Sequence, residues 1–317
     1  MQNIRRPQVF AGLVVVLAML TMSPAWAQYN FQTVISPGDP AFTQLLGINN
    51  AMTIAGYYGD GTVVPNNGFT LVLPNNYTPE NFPGAVQTQV IGINGSGNTD
   101  GFYIGAGGAT HGFTDIGSVF STVDNPNGAN FTQLLGINNS NEAAGYYQNA
   151  GGTQFPFTEL GGTFTALDSL LPANTSAQAT GVNNAGMVSG FFVGTNGVTQ
   201  GFLLVGSVET TLDYPGSMLT QALGLNNNGQ VVGFFMDAQG NMHGFIYSGG
   251  TYKEVDDPLG LNTTILNGIN DKGQVVGFYV DANGNTDGLV ASPTPEPASL
   301  LLLGTGLAGW LVRRRRI

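Results

Sequence analysis

The chain has 317 residues, with 19 acidic and 8 basic side chains, no cysteine, 48 glycines and 42% hydrophobic residues. Six of the bases lie at the two ends (Arg5, Arg6 and Arg313 to Arg316), so residues 28 to 294 carry 18 acids against Lys253 and Lys272, a balance of −16. That surface repels nucleic acid and anionic lipid, and the lack of cysteine excludes disulfides, thiolate catalysis and cysteine zinc sites.

Residues 1–27 have the three parts of a secretory signal. Arg5 and Arg6 supply the charge, Phe10 to Met22 an apolar run, and Ala25 and Ala27 the small residues inspected by a signal peptidase. The pattern predicts cleavage before Gln28. The hydrophobic content of the remainder argues for a packed core rather than a disordered chain.

Residues 28–291 read as six copies of one unit. Gly-Ile-Asn or a close variant begins at Gly47, Gly92, Gly136, Gly181, Gly224 and Gly268, with steps of 45, 44, 45, 43 and 44 residues. Nine residues after each stands a second glycine with two aromatics, from Gly56-Tyr57-Tyr58 to Gly277-Phe278-Tyr279. Phe69, Phe113, Phe157, Phe202, Phe245 and Leu289 give a third mark. Each unit reads as four short strands separated by Gly- and Asn-rich turns. Adjacent aromatics on one strand point to opposite faces, so each small sheet must be covered on both sides. Sheets of four strands covered by copies of themselves are propeller blades, and the period fits.

The predicted fold is therefore all-β, a six-bladed β-propeller of four-stranded blades. Phe31 to Ile35 resembles a fourth strand, and the sixth unit stops near Val290 after its third. The N-terminal strand is expected to complete the last blade and join the ring. The long link from each fourth strand to the next first strand places the Gly-Ile-Asn strands nearest the axis.

Four features within the blades have the composition of sites. Asn49, Asn94, Asn138, Asn183, Asn226 and Asn270 fit hairpin caps better than a ligand-coordinating ring. Asp124, Asp168, Asp213 and Asp256 recur at the ends of fourth strands and fit turn formers, although paired carboxylates are also what glycoside hydrolysis uses. Asp281, Asn283, Asn285 and Asp287 alternate oxygen side chains, as calcium loops do, without the downstream glutamate of an EF-hand. Calcium at this loop is the one cofactor the sequence suggests. His111 and His243 occupy one repeat position in units two and five, opposite each other in a six-bladed ring, which argues against their acting together. The steps His111-Gly112-Phe113 and His243-Gly244-Phe245 resemble HAF-type repeats, a likeness that implies a propeller-like fold and no activity.

The tail, residues 292–317, begins at a stiff Pro293-Thr294-Pro295-Glu296-Pro297 segment. It continues through the apolar Ala298 to Val312 and ends in Arg313, Arg314, Arg315 and Arg316. The apolar stretch reads as a short transmembrane helix with its arginines in the cytoplasm. Pro295, Glu296 and Pro297 followed by an apolar helix and a basic cluster resemble the C-terminal signal of PEP-CTERM proteins. That resemblance implies recognition by an exosortase, transient membrane anchoring, and export from a Gram-negative cell that makes an exopolysaccharide matrix. Together these point to a cell-surface or extracellular-matrix protein, non-enzymatic and associated with adhesion or exopolysaccharide. The alternatives on the same ring are a glycan-active hydrolase or lyase and a sugar-binding lectin.

Overall fold

Each Gly-Ile-Asn phrase ends the innermost strand of a four-stranded antiparallel sheet in the computed structural model, which describes residues 28–128 and 130–294. The inner strands are Thr43–Ile48, Gln87–Ile93, Thr132–Ile137, Asn174–Val182, Leu219–Leu225 and Thr264–Ile269, opening blades 1 to 6 in that order. In blades 1 to 5 the next three strands follow outward in sequence order. In blade 6 the fourth place is taken by Tyr29–Val34, which pairs antiparallel with Thr286–Pro293 from Tyr29↔Pro293 to Val34↔Gly288. The first strand of the ring thus closes its last blade. The N–H and hydroxyl of Thr294 both donate to the carbonyl of Gln28, at 2.7 and 2.9 Å, and fasten the two ends side by side.

The glycines of the repeat are there because the strands crowd. Each inner strand carries a bulge one residue before its glycine, between Leu45 and Gly47 in blade 1 and at the same step in the others. The extra residue turns inward, so Leu46, Ile91, Leu135, Thr180, Leu223 and Asn267 line the axis. A Cβ on Gly47 would lie 2.6 Å from the carbonyl oxygen of Ile91, and one on Gly277 would lie 1.9 Å from that of Ile265. The first glycine therefore lets neighbouring blades meet at the axis, and the second lets the second strand lie against the bulge.

At four of the six seams between blades the core is apolar, and it repeats. Val34, Ile54 and Leu71 pack together at the seam between blades 6 and 1, Leu167, Val188 and Leu204 between 3 and 4, and Val255, Val275 and Ala291 between 5 and 6. Leu212, Val231 and Tyr247 do the same between blades 4 and 5.

The six asparagines do two jobs at once. The side-chain oxygen of Asn183 accepts from the N–H groups of Ala185 and Met187, capping its own turn. Its amide nitrogen donates across the seam to the carbonyl of Asn226 at 3.0 Å. The same cross-seam bond runs from Asn49 to Asn94, Asn94 to Asn138, Asn138 to Asn183, Asn226 to Asn270 and Asn270 back to Asn49. The result is a closed circle of buried hydrogen bonds around one mouth of the channel. Asn183→Ala removes all three of its bonds and leaves the buried carbonyl of Asn226 without its cross-seam donor, so a loss of about 3 kcal/mol is expected. A lowered denaturant midpoint at unchanged m would show it.

Candidate functional site: two histidine–aspartate clefts

The third-strand histidines and the links between blades meet on one face of the ring, opposite the asparagine circle. In blade 2, His111 stands across from Tyr103 in register, and their rings stack at 5.0 Å. Phe82, from the link that precedes the blade, stacks on the other side of Tyr103 at 3.8 Å. Asp124, just past the outer strand, accepts or shares the proton of His111 Nδ1 at 2.7 Å. In blade 5 the arrangement recurs: Tyr214 stacks on Phe235 at 3.6 Å, Phe235 on His243 at 5.1 Å, and His243 Nδ1 meets Asp256 at 2.6 Å. All but the buried Phe235 are partly open to solvent or, in the case of Asp124, exposed.

The blade 5 cleft is the more acidic. Asp237 approaches His243 Nε2 at 3.4 Å, and Glu254 lies 3.9 Å from Nδ1. Partial burial by itself lowers the imidazole pKa, but the hydrogen bond and charge of Asp256, then Asp237 and Glu254, outweigh it and hold the group above its ordinary value.

A second polar feature lies at the seam between blades 1 and 2. Here the apolar trio of those four seams is replaced by Glu80, Thr99 and Asp115. Thr99 pairs with Asp115 as Ile54 does with Leu71, and the N–H of Glu80 bonds the Gly68 carbonyl as that of Val255 bonds Gly244. The Thr99 hydroxyl donates to Glu80, and Glu80 and Asp115 line a cavity of about 470 Å³. Burial, chiefly, with the nearby charge of Asp115 and against the Thr99 hydrogen bond, pushes the Glu80 carboxyl up to about 7. Among the described residues Asp115 Oδ1 is buried without a hydrogen-bond partner. The seam between blades 2 and 3 is intermediate, with Val123, Ala143 and a buried Glu159.

Of the residues singled out in the sequence, Asp281, Asn283 and Asn285 come together in the hairpin before Thr286–Pro293. Asp281 Oδ1 accepts from the N–H groups of Asn283 and Asn285 at 2.8 Å each, and Oδ2 accepts from both carboxamides at 3.1 Å. Asp287 stands apart on the following strand, opposite Tyr279. The asparagines cap their turns as expected, and they also form the circle that the repeat alone did not reveal. The histidines lie in opposite blades as expected. Each nevertheless has an aspartate partner in its own blade, as does Gln200 with Asp213 at 3.2 Å. The signal was present in the constant 13-residue spacing of His111–Asp124, Gln200–Asp213 and His243–Asp256. Gln28 is the first described residue. Ala25, Ala27, the Pro295-Glu296-Pro297 segment, Arg313 to Arg316 and the expected C-terminal span lie outside the described residues. Among the described residues no helix is long and apolar enough to cross a membrane.

The chain is similar to several solved structures. A mutant Aleuria aurantia lectin in complex with Fucα1-6GlcNAc is 12% identical over 81% of this chain and 99% of its own, with a TM-score of 0.49. The AofleA protein of Arthrobotrys oligospora is 10% identical over 85% and 81%, TM-score 0.47, and the propeller domain of a trilobed protease from Pyrococcus furiosus 8% identical over 79% and 93%, TM-score 0.48. No curated protein matches this chain. Residues 293–316 match the PEP-CTERM protein-sorting motif, and the chain is accordingly an exported protein handled at the cell envelope.

Proposed function

We propose that this chain is a cell-surface or extracellular-matrix ring that holds exopolysaccharide without cleaving it, through the clefts of blades 2 and 5. The observation that carries the reading is the duplicated stack of two aromatic rings and an imidazole with an aspartate at its edge, twice, on one face. Aromatic faces suit the apolar faces of sugars, while imidazole and carboxylate bond hydroxyl groups. Opposed clefts on one face let a ring grip two polymer segments and gain affinity by linkage.

The route follows from the ends. A signal peptidase removes residues 1–27 before Gln28, residues 28–291 fold as the propeller, and an exosortase recognises Pro295-Glu296-Pro297 in the tail 292–317. The apolar stretch anchors the chain in transit while Arg313 to Arg316 hold its end in the cytoplasm. The likeness of His111-Gly112-Phe113 and His243-Gly244-Phe245 to HAF-type repeats belongs with this reading, since those histidines are the cleft residues.

The test is binding of the purified chain to the host's own exopolysaccharide, with and without calcium because of the alternating oxygens of Asp281, Asn283, Asn285 and Asp287. Saturable binding without new reducing ends is expected. Each of His111→Ala and His243→Ala keeps binding at roughly a hundredfold or more lower affinity and no longer cross-links the polymer in light scattering, and the double variant loses saturable binding. Release of reducing ends would overturn the reading in favour of a glycan-cleaving enzyme.

A further inference from the structure

The two clefts are alike in their aromatic stack and differ in their acids. The place of Glu254 on the outer strand of blade 5 is held in blade 2 by Thr122, since Phe245 pairs with Glu254 as Phe113 pairs with Thr122. The place of Asp237, at the start of the hairpin, is held by Gly105. Blade 5 therefore gathers His243, Glu254 and Asp256, each offering a ligand atom within 4.8 Å of the others.

We infer that His243, Glu254 and Asp256 form a site for a divalent transition metal of the zinc class. Carboxylates alone suit calcium or magnesium, and an imidazole nitrogen in the donor set shifts the preference to zinc. The ring is already held for the task. Asp237 sits at Nε2, 3.4 Å away, and is itself fixed by the N–H groups of Gln239 and Asn241 at 2.8 Å each and by the Asn241 carboxamide at 2.9 Å. Phe235 stacks on the imidazole face. A carboxylate on Nε2–H leaves Nδ1 as the metal-facing nitrogen, the outer-sphere arrangement common to histidine ligands. Nδ1 is the atom that lies 2.6 Å from Asp256 and 3.9 Å from Glu254. Without metal, Nδ1 and Asp256 share a proton; on binding, that proton leaves to solvent and the metal takes its place. The chain's large negative balance raises the local concentration of divalent cations around it.

The inference deepens the polysaccharide reading at one of its two clefts, and its test is run without polysaccharide so that each can fail alone. The full chain, stripped with a chelator, is titrated with zinc chloride by calorimetry in two buffers of different ionisation heat. A single saturable zinc ion per chain with proton release is expected. Glu254→Gln and His243→Ala should each weaken it at least tenfold, about the minimum that even outer-sphere partners contribute. Glu254 is 51% exposed, so its substitution keeps the fold and the test stands even if His243→Ala does not. No saturable uptake, or equal uptake by wild type and Glu254→Gln, would overturn the inference.

Discussion

A chain shortened to begin at Ser36 is expected to melt on the order of 10 °C below the complete ring. The missing strand, Tyr29–Val34, contributes six register pairs to blade 6 and the buried Val34 to the seam with blade 1. Tyr29 and Phe31 pack on the blade 6 core, Thr33 bonds the Tyr279 hydroxyl at 2.9 Å, and the Tyr29 hydroxyl donates to the Gly273 carbonyl at 3.2 Å. Burying three such side chains is worth about 5 kcal/mol, from which the ordering of six residues subtracts a part. The strand's backbone pairs and two hydroxyl hydrogen bonds offset most of that cost, and a net loss of roughly 3 kcal/mol is a large share of the 5–15 kcal/mol typical of a folded domain. The shortened chain also bares Thr286–Pro293 as an edge strand, which invites pairing with a second chain. The measurement is thermal melting with and without a synthetic peptide of residues 28–35 added in trans. Recovery with the peptide separates loss of the seam from general damage, and an unchanged melting temperature would show that the seam does not hold the ring.

How much of this was legible in the sequence follows from the range of each interaction. The blades, the inner position of Gly-Ile-Asn and the closing strand were readable because each rests on a residue type recurring at a fixed place. A glycine is demanded by close approach, an asparagine by a turn, and adjacent aromatics by burial on both faces. The cap made by Asn183 was readable for the same reason, since its partners lie two and four residues away. Its second bond reaches a carbonyl 43 residues on, and only the ring brings that carbonyl near. The histidine clefts were missed because they depend on strand register, which pairs His243 with Phe235 and brings Asp256 to it around a hairpin. The polar seam was hidden by a single extra residue. Gly68 to Glu80 spans one residue more than Gly112 to Val123 or Gly244 to Val255, so Glu80 falls out of step with the valines whose place it takes.

That seam sets a pH dependence with an unusual sign. The Glu80 carboxyl stands near 7 in the folded ring against 4.5 when free, so between about pH 4.5 and 7 the native state holds a proton that the unfolded chain gives up. Stability therefore falls as pH rises through that window, by roughly 3 kcal/mol for Glu80 alone, and is fully present only below it. Asp100, buried on the opposite face of the same strand as Thr99, is also pushed up to about 7, mainly by burial and against the Gly92 N–H, and adds to the slope in the same direction. Glu80→Gln keeps the shape and removes the titration, so melting curves from pH 4.5 to 8 should flatten by Glu80's part. Glu80→Val with Thr99→Val and Asp115→Leu puts in place of the polar trio an aliphatic one like those between blades 6 and 1 and between blades 3 and 4. Burial of three aliphatic side chains at about 1.5–3 kcal/mol each, added to the relief of the ionised carboxyls, should raise the melting temperature at pH 8 by on the order of 10 °C or more. The gain should be smaller at pH 5, where Glu80 is already neutral. A slope that survives Glu80→Gln would place its origin in other groups, and a triple variant no more stable than wild type would mean that the cavity beside Glu80 cannot close around aliphatic side chains.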